Sequence, residues 1–223
     1  MSNRTAHTLR AFYDAMYKAL GPQHWWPGDT PTEVIIGAIL TQNTSWRNVE
    51  RAIDNLKRAK ALDWKRLHEL PFEELAELIR PAGTFNVKAR RLKTFIEWLH
   101  RRFDLDLDRM LACSLSSLRE ELLEVRGIGR ETADAILLYA AQKPSFVVDA
   151  YTARILFRHH LIDRSADYDE IKELFESNLP EDVQLFNEYH ALLVDVGKNH
   201  CRPKARCEGC PLERFDHDAE RED

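Results

Sequence analysis

Residues 122–141, LLEVRGIGRETADAILLYAA, limit the possible fold more than any other part of the chain. Two apolar segments with helical spacing are separated only by Gly127-Ile128-Gly129, so the chain must reverse within three residues. Glycine at both ends of that turn removes the Cβ that would hinder a sharp bend or the close approach of another group. The rest of the sequence continues in the same style. Helical patterns follow one another, and no stretch alternates apolar and polar residues between turn signals as a strand does. The expected fold class is all-α.

Local signals place several helices. Thr30-Pro31-Thr32-Glu33 offers a capping threonine, a proline at the first helical position and a glutamate spaced for a capping box. The residues that follow, Val34, Ile35, Ile36, Ala38, Ile39 and Leu40, are apolar on nearly every side, which predicts a helix in the middle of a core. Ser45 precedes Trp46, Val49, Ala52, Ile53 and Leu56, the spacing of one buried stripe. Pro71 opens a further helix and Pro81 closes it. Asn86 is expected to cap a segment running to Phe103, with Leu92, Phe95, Ile96 and Leu99 as its apolar face. Helices are also predicted over 115–125, 130–142, 150–161, 168–177 and 182–197.

Charge and hydropathy narrow the function classes. No apolar run approaches the roughly 20 residues of a membrane span, and the N-terminal residues MSNRTAHTLR lack a secretion signal, so a cytoplasmic protein is expected. The net charge is −5, but the last eleven residues, ERFDHDAERED, contribute −4 of it and are expected to form a disordered acidic tail. The nearly neutral body groups its cations: Lys88, Arg90, Arg91 and Lys93; Arg126 and Arg130; Lys198, Arg202, Lys204 and Arg206. Such groups suit phosphate contacts, or are solvated helix faces.

The turn at Gly127 and Gly129 starts a helix whose first N–H groups can face an anion, and Arg126 and Arg130 flank it. This is the pattern of a helix-hairpin-helix, a clamp for DNA phosphates that does not read sequence. Downstream, Ser145-Phe146-Val147-Val148 delivers Asp149 to the start of a new helix. An aspartate there is a good N-cap. The helix dipole would also keep it ionised, as is needed to stabilise a cationic sugar or activate water.

The hairpin, the aspartate some twenty residues beyond it and the Cys-rich segment after them together resemble the endonuclease III branch of the helix-hairpin-helix DNA glycosylases, over nearly the whole chain. Leu40-Thr41-Gln42-Asn43-Thr44 resembles that family's segment near the flipped base, and residues 83–89, GTFNVKA, its loop on the opposite strand. The resemblance implies that Gln42 and either Thr84 or Phe85 fill the gap left by the base. It also makes Asp149 the catalytic carboxylate. At Glu131, however, strand-cleaving members carry a lysine that forms a Schiff base, which glutamate cannot do. A glycosylase without lyase activity is therefore expected. Trp25-Trp26-Pro27 and Trp46 resemble the aromatic base pocket of the bacterial 3-methyladenine DNA glycosylase III branch, where an electron-poor alkylated purine gains from stacking and cation–π attraction.

Of the four cysteines, Cys201, Cys207 and Cys210 lie within ten residues, which favours a metal site over disulfides. Cys113 stands apart and reads as an ordinary buried thiol. The segment from Cys201 to Asp216 resembles the family's iron-sulfur loop, with Lys204 and Arg206 facing DNA, but Asp216 stands where the fourth cysteine belongs. The resemblance implies a four-iron four-sulfur cluster with an oxygen ligand from Asp216 or a nitrogen from His217, or a cluster lacking one iron. Zinc with His200 or His217, or an empty remnant, are the other readings. His159 and His160 point to different sides of a helix and read as structural or solvent-facing.

The expected architecture is two helical domains, 28–143 with the hairpin and 1–27 plus 144–212 with the cysteine loop, followed by the tail 213–223. DNA would bind across their cleft with Asp149 at the junction. The expected partners are damaged double-stranded DNA and, downstream, an abasic-site endonuclease, with the protein itself monomeric. Two alternatives stay open: a bifunctional glycosylase and lyase for oxidised pyrimidines, and a non-catalytic binder of distorted DNA.

Overall fold

The computed structural model describes residues 3–25 and 28–221. Trp26 and Pro27, two of the expected base-pocket residues, lie outside them. Among the described residues twelve α-helices follow one another: α1 (Asn3–Leu20), α2 (Pro31–Leu40), α3 (Trp46–Arg58), α4 (Trp64–Glu69), α5 (Phe72–Leu78), α6 (Phe85–Phe103), α7 (Leu107–Leu111), α8 (Leu115–Glu124), α9 (Arg130–Ala135), α10 (Ala150–Arg158), α11 (Tyr168–Glu176) and α12 (Val183–Asn199). None is long and apolar enough to cross a membrane. The chain divides into two compact units, one of Trp26–Lys143 and one of Met1–Trp25 with Pro144–Asp223.

In the unit of Trp26–Lys143, α2 is the central element. Every residue from Val34 to Leu40 is buried, and the helix packs against α3, α6 and α9. Its start is fixed as the sequence suggests: Pro31 opens the first turn and the Thr30 hydroxyl accepts from Glu33 N at 3.2 Å. The reciprocal half of a capping box is replaced. The Glu33 carboxylate is buried and pairs with Lys57 Nζ of α3 at 2.8 Å, tying the two helices together. Ser45 occupies the N-cap of α3 without a side-chain cap bond.

The start of α6 differs from the expectation. Its N-cap is Thr84, and Asn86 lies inside the first turn. Thr84 sits in the left-handed region (φ 40°, ψ 38°), directly after Gly83 at φ 70°. A β-branched residue there is strained, a condition that costs about 1–3 kcal/mol and clusters at ligand-contacting sites. Asparagine adopts this conformation more readily. Thr84→Asn is therefore expected to raise the unfolding free energy of the protein by about 1 kcal/mol, measurable by urea denaturation.

The short helices α4 and α7 went unforeseen because five or six residues are too few to establish a helical period. The predicted helix over 130–142 also changes character. After α9 the backbone widens into a buried π-helical turn over Ile136–Ala140, ending with Ala141 N donating to Ile136 O.

The other unit is built on aromatic packing. Phe146 stacks on Phe175 of α11 (centroids 3.8 Å apart, planes at 7°) and meets Phe186 of α12 edge to face (5.4 Å, 80°). The Tyr189 hydroxyl of α12 donates to Leu9 O of α1 at 2.7 Å, so the N-terminal helix joins this core. Residues 213–221 are not a free tail. Arg221 lies over the Phe157 ring at 3.8 Å and donates to Phe157 O, while Asp218 N donates to Arg158 O, fastening the segment to the end of α10. Its arginine and aromatic residues give it partners that a count of acids hides.

Candidate active site and nucleic-acid interface

The extended segment before Asp149 is held from α11: Phe146 N donates to Glu176 Oε1 at 2.8 Å and Val148 N to the Tyr168 hydroxyl at 3.4 Å. It delivers Asp149 to the N-cap of α10, where Oδ1 accepts from both Thr152 N (2.8 Å) and Thr152 Oγ1 (2.9 Å). The second oxygen, Oδ2, faces His190 Nε2 of α12 at 3.7 Å, beyond hydrogen-bond length but within ion-pair reach. Burial alone would push this carboxyl up. The His190 imidazole and the two Thr152 donors outweigh burial and hold Asp149 below the usual carboxylate range. Asp149 is thus both a cap and a buried, ionised carboxylate. Nothing in the sequence marked His190, which lies forty-one residues away on another helix.

The far end of α10 holds the cysteine loop. Arg158 is buried and donates to the carbonyls of Arg202 (2.6 Å) and Pro203 (2.8 Å) and to Cys201 Sγ (3.4 Å), while Arg154 Nε donates to Cys201 O at 2.8 Å. A nine-residue helix spans only about 14 Å. The carboxylate and the loop are therefore the two ends of one rigid element. Cys201, Cys207 and Cys210 line a single recess together with His200 and His217. Asp216, the expected fourth ligand, is not among the lining residues. Its side chain is exposed, and its carbonyl is engaged by His159 Nδ1 at 3.0 Å. Burial pushes the Cys207 and Cys210 thiols up, and it holds His159 down at about 4, hence neutral at pH 7. Among the described residues no three His, Cys, Asp and Glu side chains are placed to hold one metal ion. Lys204 and Arg206 are exposed on the loop.

In the unit of Trp26–Lys143 the hairpin joins α8 to α9. Gly127 has φ 100°, and a Cβ there would stand 2.6 Å from Arg91 Cγ, so glycine is required twice over. Gly129 differs. It is extended (φ −95°), and a Cβ would meet nothing within 4 Å, so the fold itself does not demand glycine there. Arg119 of α8 holds the buried Asp134 of α9 with two bonds (2.9 and 3.1 Å), locking the hairpin's shape. Ile128 is buried, whereas Arg126, Gly129, Arg130 and Glu131 are exposed.

Gln42 is bound into this hairpin. Its Nε2 donates to Thr132 Oγ1 at 3.1 Å and approaches Gly127 O at 3.5 Å, while its Oε1 accepts from Arg91. The basic group on α6 is largely spent inside the fold as well. Lys88 is buried and donates to Ala82 O at 2.7 Å, and Lys93 donates to the carbonyls of Leu67 and His68 at the end of α4. Burial lowers both lysines. The sequence groups these two with Arg90 and Arg91 as phosphate contacts or a solvated helix face. Their actual partners are carbonyls, which a count of charges along the chain does not reveal. The Phe85 ring is half-buried beneath Arg80, 5.5 Å from its centroid. Of the tryptophans, Trp25 is half-buried with Lys198 Nζ 5.6 Å from its ring centroid, and Trp46 Nε1 donates to Glu50 at 3.0 Å one turn along α3. Trp25 and Trp46 belong to different units.

The model of one protein family, described as HhH-GPD superfamily base excision DNA repair protein, matches residues 36–181. The chain belongs to this superfamily. A protein of Methanocaldococcus jannaschii named as a DNA repair glycosylase is 48% identical over 217 residues, covering 96% of this chain and 98% of its own. The crystal structure of H. pylori 3-methyladenine DNA glycosylase (MagIII) bound to 1,N6-ethenoadenine is similar at TM-score 0.71 and 30% identity, covering 87% of this chain and 97% of that one. An endonuclease III–DNA complex reaches TM-score 0.81 at 22% identity, covering 95% and 94%, and shares the fold.

Proposed function

We propose that this superfamily member is a monofunctional DNA glycosylase that excises an alkylated purine such as 3-methyladenine. The observation that carries the reading is Asp149, a buried carboxylate kept ionised at the start of α10. The hairpin clamps phosphates through the Gly127–Gly129 turn, Arg126 and Arg130, and Lys204 and Arg206 add contacts from the other unit. Gln42 with Thr84 or Phe85 fills the gap left by the flipped base. The base contact falls to the tryptophans, of which Trp25 and Trp46 are described: stacking on an indole favours a cationic purine over an undamaged one. As the C1′–N bond lengthens, positive charge grows on the sugar and the purine leaves with the bond's electron pair. Asp149 stabilises that charge and takes a proton from the water that adds to C1′, leaving an intact strand with an abasic site for a downstream endonuclease. With glutamate at position 131, the hairpin has no amine for a Schiff base.

Three thiols around one recess, beside a buried guanidinium that donates to one of them, form a donor set suited to an anionic iron-sulfur cluster, held by Cys201, Cys207 and Cys210. Its part is to shape the loop that carries Lys204 and Arg206.

Borohydride trapping on lesion-bearing duplexes tests the absence of lyase chemistry, with an endonuclease III as positive control. No covalent adduct is expected, and a borohydride-dependent adduct overturns the reading in favour of a bifunctional enzyme. The carboxylate can be tested by its pH profile. Replacing His190 with leucine removes a neighbour that favours the charged form of Asp149, so the carboxyl pKa rises. The acid limb of the excision rate then moves to higher pH, with the alkaline side little changed. An acid limb at the wild-type position contradicts this role for His190.

A further inference from the structure

We infer that His217 supplies the fourth ligand of the iron-sulfur cluster, through Nε2; the inference rests on the cluster proposed above. Three cysteines leave one iron of a four-iron cluster without a protein ligand. Asp216, which occupies the family's ligand place in sequence, turns its side chain outward, and the imidazole one residue later lines the recess with the thiols. Two further contacts prepare that ring. Its Nδ1 lies 2.7 Å from Phe215 O, a contact that places the proton on Nδ1 and leaves the lone pair on Nε2, the arrangement found in metal-bound histidines. Its ring packs against His159, tilted at 43° with the centroids 5.2 Å apart, and His159 is itself fixed by the Asp216 carbonyl and by Phe12 of α1. Ligands of a cluster bind separate irons, so they need not converge on one point as those of a single ion do, and among the described residues no such convergence is found.

His200 is the competitor. It lines the same recess, with its Nδ1 3.2 Å from Arg206 O. A neutral imidazole in place of a thiolate makes the cluster less negative and raises its reduction potential.

The test uses the full-length protein, reconstituted with iron and sulfide and carrying 15N-labelled histidine, and compares wild type with His217→Cys, His217→Ala and His200→Ala. Pulsed EPR of the reduced cluster is expected to show coupling to a histidine nitrogen in wild type and His200→Ala. In His217→Cys that coupling should vanish, with four irons retained and a lower potential. His217→Ala is expected to give a three-iron EPR signal on oxidation. Coupling that persists in His217→Cys, coupling lost in His200→Ala, or a protein that takes up no cluster each overturns the inference. Base release from the same samples is read separately, so a failed ligand assignment and a failed glycosylase reading give different results.

Discussion

Asp149→Asn is expected to lower the single-turnover excision rate by about 100- to 10,000-fold, the range for a group that acts on protons and charge in the transition state. The substitution is well matched to the site. Asparagine caps helices as well as aspartate, and its carbonyl oxygen can keep both bonds from Thr152. What disappears is the negative charge on Oδ2, opposite His190. Thermal melting should therefore stay close to wild type, and duplex binding should be retained. A rate within a few-fold of wild type would reduce Asp149 to its capping role and favour the non-catalytic reading.

The second large effect is structural and reaches the same residue indirectly. Gly197 of α12 is buried where the helix crosses α10, and a Cβ there would stand 2.5 Å from Tyr151 Cβ and Cδ1 and 2.6 Å from Cγ. Carbon atoms pack at about 3.5–4.0 Å, so Gly197→Ala forces the helices apart by roughly 1 Å. Overpacking costs typically 1–3 kcal/mol, and a clash this short against a Cβ falls at about 2–3; alanine's helix propensity returns about 1, leaving a net loss of about 1–2 kcal/mol. That corresponds to a fall of about 2–8 °C in melting temperature. Tyr151 lies two residues after Asp149, so the carboxylate moves with α10. A displacement of about 1 Å can cost about 100-fold in rate. Unlike Asp149→Asn, this variant loses stability and rate together. A melting temperature at or above wild type would show that the crossing relaxes without consequence.

How much of this was legible depended on the range of the interaction involved. The buried helix α2, with its threonine cap and first-turn proline, is a local pattern, and so is Asp149 as an N-cap; both are found where the sequence places them. The hairpin was legible too, although only Gly127 is enforced by the fold, since Gly129 is neither crowded nor left-handed. What escaped was partnership between distant residues. Lys88 and Lys93 read as phosphate contacts or a solvated helix face, and Arg158 carries no signal at all, yet each is spent on backbone carbonyls. His190 acquires its place from helix packing, which carries no spacing signal. Thr84 shows a third case: residue preference argued against a left-handed backbone, and the loop imposes it nonetheless.

The most direct measurement is base release from methylated duplex DNA, with strand breaks scored before and after alkali in the same reaction. The expected result is free methylated purine, with breaks that appear only after alkali and neither product formed by Asp149→Asn. Breaks formed without alkali would contradict the inference drawn from Glu131, and intact bases throughout would contradict the alkylpurine assignment itself.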